Sequence, residues 1–156
     1  MIELPIPGDE TLRLKRLLLD YNGTLACDGT VLPGVKERLR KLQSDLELYV
    51  VTADTFGTVR REMADSGVEV MVLESDDHTE EKRRLLERLG PDHTVAVGNG
   101  NNDRLMLEYS ILGIAVLGDE GCALETLHAA RLCCRSITDA LDLLLHPKRL
   151  VATLRR

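Results

Sequence analysis

Apolar positions along this 156-residue chain fall into short Leu- and Val-rich runs, separated by stretches in which they recur at helical spacing. Residues 2–6 and 12–19 bracket Pro7-Gly8-Asp9-Glu10, which predicts an opening β-hairpin whose second strand runs on to Asp20. Further strands are predicted near 46–51, 68–73, 95–97, 114–117 and 132–134. Between them, helices are predicted near 33–43, 58–64, 80–89, 103–109 and 123–129. The first of these starts at Pro33 and places Val35, Leu39 and Leu42 on one face. Residues 137–154 read as helical around Pro147. Such alternation of strand and helix predicts an α/β fold, a doubly wound, mostly parallel Rossmann-like sheet in one domain spanning 1–156.

Composition narrows the functions open to such a domain. A formal net charge of −6, no Trp and a single Phe argue against a nucleic-acid surface, which needs basic patches and stacking platforms. Charged runs such as Lys36-Glu37-Arg38 mix signs and read as solvated helix faces. The four cysteines, Cys27, Cys122, Cys133 and Cys134, lack two-residue spacing, and buried reduced thiols are expected of them. In a strand, Cys133 and Cys134 would point to opposite faces. The four histidines are scattered, and none is assigned to a metal. With no basic-apolar leader and no apolar run near the ~20 residues that span a bilayer, a cytoplasmic protein without membrane contact is expected.

Two loops carry the candidate chemistry. Leu17-Leu18-Leu19 suits a strand buried on both faces, and it ends on Asp20 followed by Tyr21-Asn22-Gly23-Thr24. In open α/β sheets ligands bind at that carboxyl edge. Gly23 leaves room for a ligand near the backbone, and the surrounding amides can cradle an anion. The second loop repeats the arrangement: Val95-Ala96-Val97, then Gly98-Asn99-Gly100-Asn101-Asn102-Asp103, then residues at helical spacing. Two glycine- and oxygen-rich acidic loops at one edge suit a hard cation facing a phosphate.

On these residues the chain resembles the haloacid dehalogenase superfamily of phosphotransferases, and within it the phosphorylation domain of P-type ATPases. Asp20-Tyr21-Asn22-Gly23-Thr24-Leu25 is similar to the first motif, whose leading Asp becomes an aspartyl phosphate. Thr52-Ala53-Asp54 is similar to the second, Lys82 stands where the third-motif lysine is expected, and residues 98–103 are similar to the fourth. The resemblance implies a soluble P-type ATPase-like phosphatase with an HAD-like fold. It gives catalytic roles to Asp20, Asn22, Thr52 and Lys82, phosphate contacts to Gly23, Thr52, Ala53, Lys82 and Asn102, and Mg2+ ligation to Asp20, Asn22, Asn99 and Asp103. Thr79-Glu80-Glu81 reads as a helix start, so Lys82 falls in the first turn, where the helix dipole disfavours a cation. Lys36, Arg83 and Arg84 are the alternatives to it.

The departures matter as much. Phosphatases of the family carry a proton-shuttling Asp two residues after the nucleophile, and here that position is Asn22. An amide cannot shuttle a proton, and such catalysis contributes on the order of 100 to 10,000-fold, so ordinary phosphate esters should turn over slowly unless another group substitutes. Asn99 likewise replaces a motif carboxylate, so metal binding should depend on phosphate. Only residues 25–51 separate Thr24 from Thr52, which leaves no room for the pumps' nucleotide-binding domain or for a substantial cap. An open site suits a phosphorylated small molecule or a phosphoprotein, with a neighbouring subunit of a homo-oligomer as a further cover. Three readings follow: a Mg2+-dependent phosphatase or phosphotransferase, a weakened relative that binds a phosphorylated ligand or partner, and a regulatory phospho-acceptor. Substrate choice is expected to lie in loops 26–30, 55–58 and 75–79.

Overall fold

Burial along the first twenty residues changes character at Lys15. Strands β1 (Ile2–Pro5) and β2 (Thr11–Leu14) bury alternate residues and pair antiparallel, Ile2 opposite Leu14. Strand β3 (Arg16–Asp20) instead buries Leu17, Leu18, Leu19 and Asp20 in succession. The expected hairpin therefore exists, but its second strand stops short of Asp20. Lys15 marks the break: its amide donates to His93 O and its carbonyl accepts from Glu47 N, and the chain moves from a two-stranded ribbon into the main sheet. The computed structural model describes residues 1–54 and 57–156.

After β3 come a small antiparallel pair, β4 (Ala26–Cys27) with β5 (Thr30–Val31), then α1 (Val35–Leu42), β6 (Glu47–Thr52), α2 (Thr58–Glu62) and β7 (Glu69–Val72). The chain continues through α3 (His78–Leu89), β8 (Thr94–Gly98), a 3-10 turn (Asn101–Asp103), α4 (Arg104–Tyr109), β9 (Leu112–Val116), α5 (Leu124–Ala129), β10 (Leu132–Cys134), α6 (Ile137–Leu145) and α7 (Pro147–Leu154). Six strands form one wholly parallel sheet in the order β10-β9-β8-β3-β6-β7. Strand order reverses beside β3, which pairs with β6 on one side and β8 on the other. A crevice opens at such a switch point, outside the carboxyl ends of the strands.

Because successive strand residues face opposite ways, the sheet splits its apolar side chains between two layers. Leu17, Leu19, Val50, Val95, Val97 and Ile114 join α1, α6 and the β1–β2 hairpin in the larger cluster. Leu18, Val51, Ala96 and Ala115 face Leu85 and Leu86 of α3 with Met106 and Leu107 of α4. Val35, Leu39 and Leu42 are buried as their spacing predicts, although α1 begins after Gly34, whose left-handed φ of 79° sets the entry. No helix among the described residues is long and apolar enough to cross a membrane. All four cysteines are free, but only Cys134 is buried. Cys133 is exposed on the opposite face of β10, so the expectation of uniformly buried thiols fails there.

Candidate active site

Strand β3 delivers Asp20 to the switch point with its residue only 6% exposed, and β8 delivers the loop that carries Asn99 and Asp103 beside it. Helix α3 supplies the cation between them. Asp77 caps that helix by accepting from Glu80 N at 3.1 Å, so α3 starts at His78 and Lys82 stands in its second turn. This is one residue earlier than the Thr79 start read from the sequence, because the Asp77 carboxylate takes the capping role. The Lys82 ammonium lies 2.7 Å from Asp20 Oδ1, 2.6 Å from Asp103 Oδ1 and 3.2 Å from Asn102 Oδ1. Lys82 is 2% exposed and Asp103 is fully buried. Two carboxylates thus share one ammonium, which leaves an excess negative charge in the interior.

Asp103 accepts three hydrogen bonds, one at Oδ1 from Lys82 and two at Oδ2 from the amides of Asn99 and Gly100, each of the latter at 2.9 Å. It fixes the fourth loop from behind and anchors Lys82. A side chain at Gly98 would place its Cβ 2.5 Å from Asp103 Cγ, so the bare backbone there lets that carboxylate tuck in. Gly23, with φ +80°, takes a conformation that side-chain-bearing residues rarely adopt, and a Cβ there would lie 2.5 Å from Asn99 Nδ2. The room at Gly23 is therefore filled by Asn99 and not by open space for a ligand.

Asn99 ties three loops together. Its Nδ2 donates to Gly121 O at 3.0 Å, which orients the amide so that Oδ1 faces Thr24 Oγ1 at 3.1 Å. Thr24 Oγ1 is also 3.1 Å from Asp20 Oδ2. One hydroxyl hydrogen must serve two acceptor oxygens, so the locus between Asp20, Thr24 and Asn99 is rich in oxygen and short of positive charge. That electron-rich, oxygen-only set suits a hard cation such as Mg2+. It is a sparse set, because no group of three His, Cys, Asp or Glu side chains among the described residues is placed to hold a metal.

Burial, reinforced by the Asp103 carboxylate, pushes the pKa of Asp20 up to about 7, against the opposing pull of Lys82 and Thr24. For Lys82, burial works against the charge, but Asp20 and Asp103 outweigh it and its pKa rises above the usual lysine range.

Asp20, Asn22, Thr52, Ala53, Lys82, Asn99 and Asn102 line one cavity of about 470 Å³. Thr52, nearly fully buried, accepts from Asp54 N at 3.1 Å, so its own hydroxyl hydrogen remains for an acceptor in the cavity. Asp103 and Gly23 stand behind this surface. His78 and Thr79, which fall in the expected specificity loop 75–79, line it too, as does Asn101; the sequence reading gave none of the three a catalytic, phosphate or metal role. The signal for His78 was its position four residues before Lys82, which puts both on one helix face. Of the expected specificity loops, Thr55 and Phe56 lie outside the described residues.

The parallel sheet with its switch point gives this domain an α/β fold of haloacid dehalogenase type, which its neighbours among solved structures share. A 3-deoxy-D-manno-octulosonate 8-phosphate phosphatase from Moraxella catarrhalis, solved with magnesium, phosphate and KDO, superposes with a TM-score of 0.72 at 20% identity, covering 91% of this chain and 94% of that one. The cobalt-bound enzyme from Haemophilus influenzae gives 0.72 at 17% identity over 86% and 88% of the two chains. No family model matches the sequence. A protein of Methanocaldococcus jannaschii, uncharacterized protein MJ0073, is 45% identical over 78 residues, 47% of this chain and 84% of its own length, and the chain belongs to the same family as that protein. The soluble P-type ATPase-like phosphatase of the same organism is 25% identical over 123 residues, which span 77% of this chain but only 45% of that protein.

Proposed function

We propose that residues 1–156 form one phosphotransferase domain, a Mg2+-dependent phosphatase that works through phosphorylated Asp20 on phosphorylated small molecules or phosphoproteins. The observation that carries this reading is the Lys82 ammonium set between Asp20 and Asp103 at the floor of the cavity. A nucleophilic carboxylate must be aimed and partly desolvated, and this arrangement supplies both, while Lys82 favours the ionised form against burial and Asp103. Thr52, through its uncommitted hydroxyl hydrogen, and Lys82 bind the oxygens of the phosphoryl group, and Asn102, on the same wall, orients them. Asp20 with the oxygens of Asn22 and Asn99 would hold Mg2+, which neutralises charge on those oxygens when bound. Neighbours of this fold with magnesium or cobalt bound support the use of a divalent ion. Asp103 sets the positions of Lys82 and of the loop. Asn22, unable to carry a proton, makes acyl phosphates faster substrates than alkyl esters. Four free cysteines accord with a reducing, cytoplasmic setting.

Incubation with Mg2+ and acetyl phosphate, followed by intact mass measurement, tests the proposal. Wild type should gain the mass of one phosphoryl group, and Asp20→Asn should gain none. Equal labelling of both proteins would refute the nucleophile role.

A further inference from the structure

Asn22 leaves the proposed reaction without a proton donor of the usual kind, and the cavity offers one other group that can carry a proton to a leaving oxygen. Along its walls stand Asp20, Asn22, Thr52, Ala53, Leu73, His78, Thr79, Lys82 and residues 99–102. Asp20 and Lys82 are committed to each other, hydroxyls and amides do not exchange protons near neutral pH, and that leaves His78. Its residue is half-buried at the first position of α3, and its imidazole makes no hydrogen bond among the described residues. Lys82, four residues on, shares its helix face, and the Lys82 ammonium reaches to 2.7 Å from Asp20. His78 therefore lines the cavity one helical turn from Lys82 and is more exposed to solvent than that lysine.

We infer that His78 is the general acid-base residue of this site, in place of the acid missing at Asn22. The inference rests on the reading of Asp20 as nucleophile. In the first step an Asp20 carboxylate oxygen bonds to phosphorus, the ester P–O bond breaks, and its electron pair stays on the leaving oxygen. The protonated imidazole of His78 gives that oxygen its proton and releases the alcohol. In the second step the neutral imidazole takes a proton from water as the water oxygen attacks phosphorus. The bond from phosphorus to Asp20 breaks, restoring the carboxylate, releasing inorganic phosphate and returning the proton to His78. An acyl phosphate needs no proton in the first step, so dependence on His78 should follow the basicity of the leaving group.

The test measures single-turnover phosphorylation of Asp20 in wild type and His78→Gln, with Mg2+ and either an alkyl phosphate or acetyl phosphate. Asp77 remains to cap α3, and circular dichroism verifies the fold of the variant. The ratio of the alkyl to the acyl rate should fall at least about tenfold in His78→Gln, within the range that general acid catalysis supplies. Adding Asn22→Asp to His78→Gln should return the alkyl rate, since either residue can then deliver the proton. Equal losses for both donors, or no loss, would overturn the role of His78 while leaving Asp20 as nucleophile intact. Failure of both donors to phosphorylate wild-type Asp20 would overturn the proposed function and this inference with it.

Discussion

On the β3–β8 side of the cavity, side chains reach from one loop to the next. Thr24 touches Asp20 and Asn99, Asn99 donates to Gly121 O, Asp103 accepts from Asn99 and Gly100, and Thr126 Oγ1 donates to Gly100 O at 2.6 Å. On the β6–β7 side, side chains tie each loop to the helix that follows it. Asp54 accepts from Val59 N at 2.8 Å in α2, and Glu81 of α3 accepts from the amides of Glu74 and Ser75 and from Ser75 Oγ at 2.7 Å. The first wall is mostly buried and cross-braced, whereas the second is exposed over residues 74–77. Groups that must meet a reacting phosphorus gain from rigid mutual placement, and groups that sort substrates gain from freedom to vary. The fold thus braces the wall that carries Asp20 and leaves residues 74–77 of the other exposed.

The largest blow to the braced wall should come from Asp103→Asn. Lys82 keeps Asp20 as counter-ion, but the new amide must turn its NH2 toward either the Lys82 ammonium or the amides of Asn99 and Gly100, donor against donor, so urea denaturation should show a loss of about 2–3 kcal/mol. A loss under about 1 kcal/mol would mean that Asp103 does not hold that wall together. Thr24→Val keeps the shape but removes the hydrogen shared by Asp20 and Asn99, and should cost about 1–2 kcal/mol by the same assay.

Asp20→Asn should have the opposite sign. Folding raises the pKa of Asp20 from 3.8 to about 7, so the folded state favours the protonated acid. Stability from this group is therefore full below about pH 4 and drains away as pH rises toward 7. In metal-free buffer the gap in stability between the variant and wild type should grow in the variant's favour from pH 4 to pH 8, by up to about 4 kcal/mol. A gap that stays constant with pH would contradict the excess buried charge. Glu81→Ala, on the exposed wall, should cost about 1 kcal/mol or less, speeding hydrogen exchange at Glu74 and Ser75 without changing it at Asn99 and Gly100.

Much of the braced wall was legible because its demands are local. Leu17-Leu18-Leu19 and Val95-Ala96-Val97 can sit in the middle of a parallel sheet, and each hands over to a loop with the residues that anions and cations need. The break at Lys15 was harder to see, because the same leucines serve a half-exposed ribbon at 12 and 14 and a doubly buried strand from 17. Only tertiary packing tells those burial regimes apart. The true start of α3 differs from the Thr79 start because the carboxylate of Asp77, two residues earlier, takes the Glu80 amide. His78 was read only as part of loop 75–79, because histidines were weighed against metal spacing and not against Lys82, with which it shares a face. The role of Gly23 depended on a contact 76 residues away with Asn99, a distance no local pattern bridges.

The segment between β3 and α1 holds only the two-residue strands β4 and β5, pinned by Tyr21 Oη donating to Gly29 O at 3.2 Å. So small a flap cannot shut water out of a 470 Å³ cavity. If Asp20 is phosphorylated as proposed, water reaches the phosphoryl group freely, and its lifetime on the protein is set by the groups that line the cavity and not by a cover.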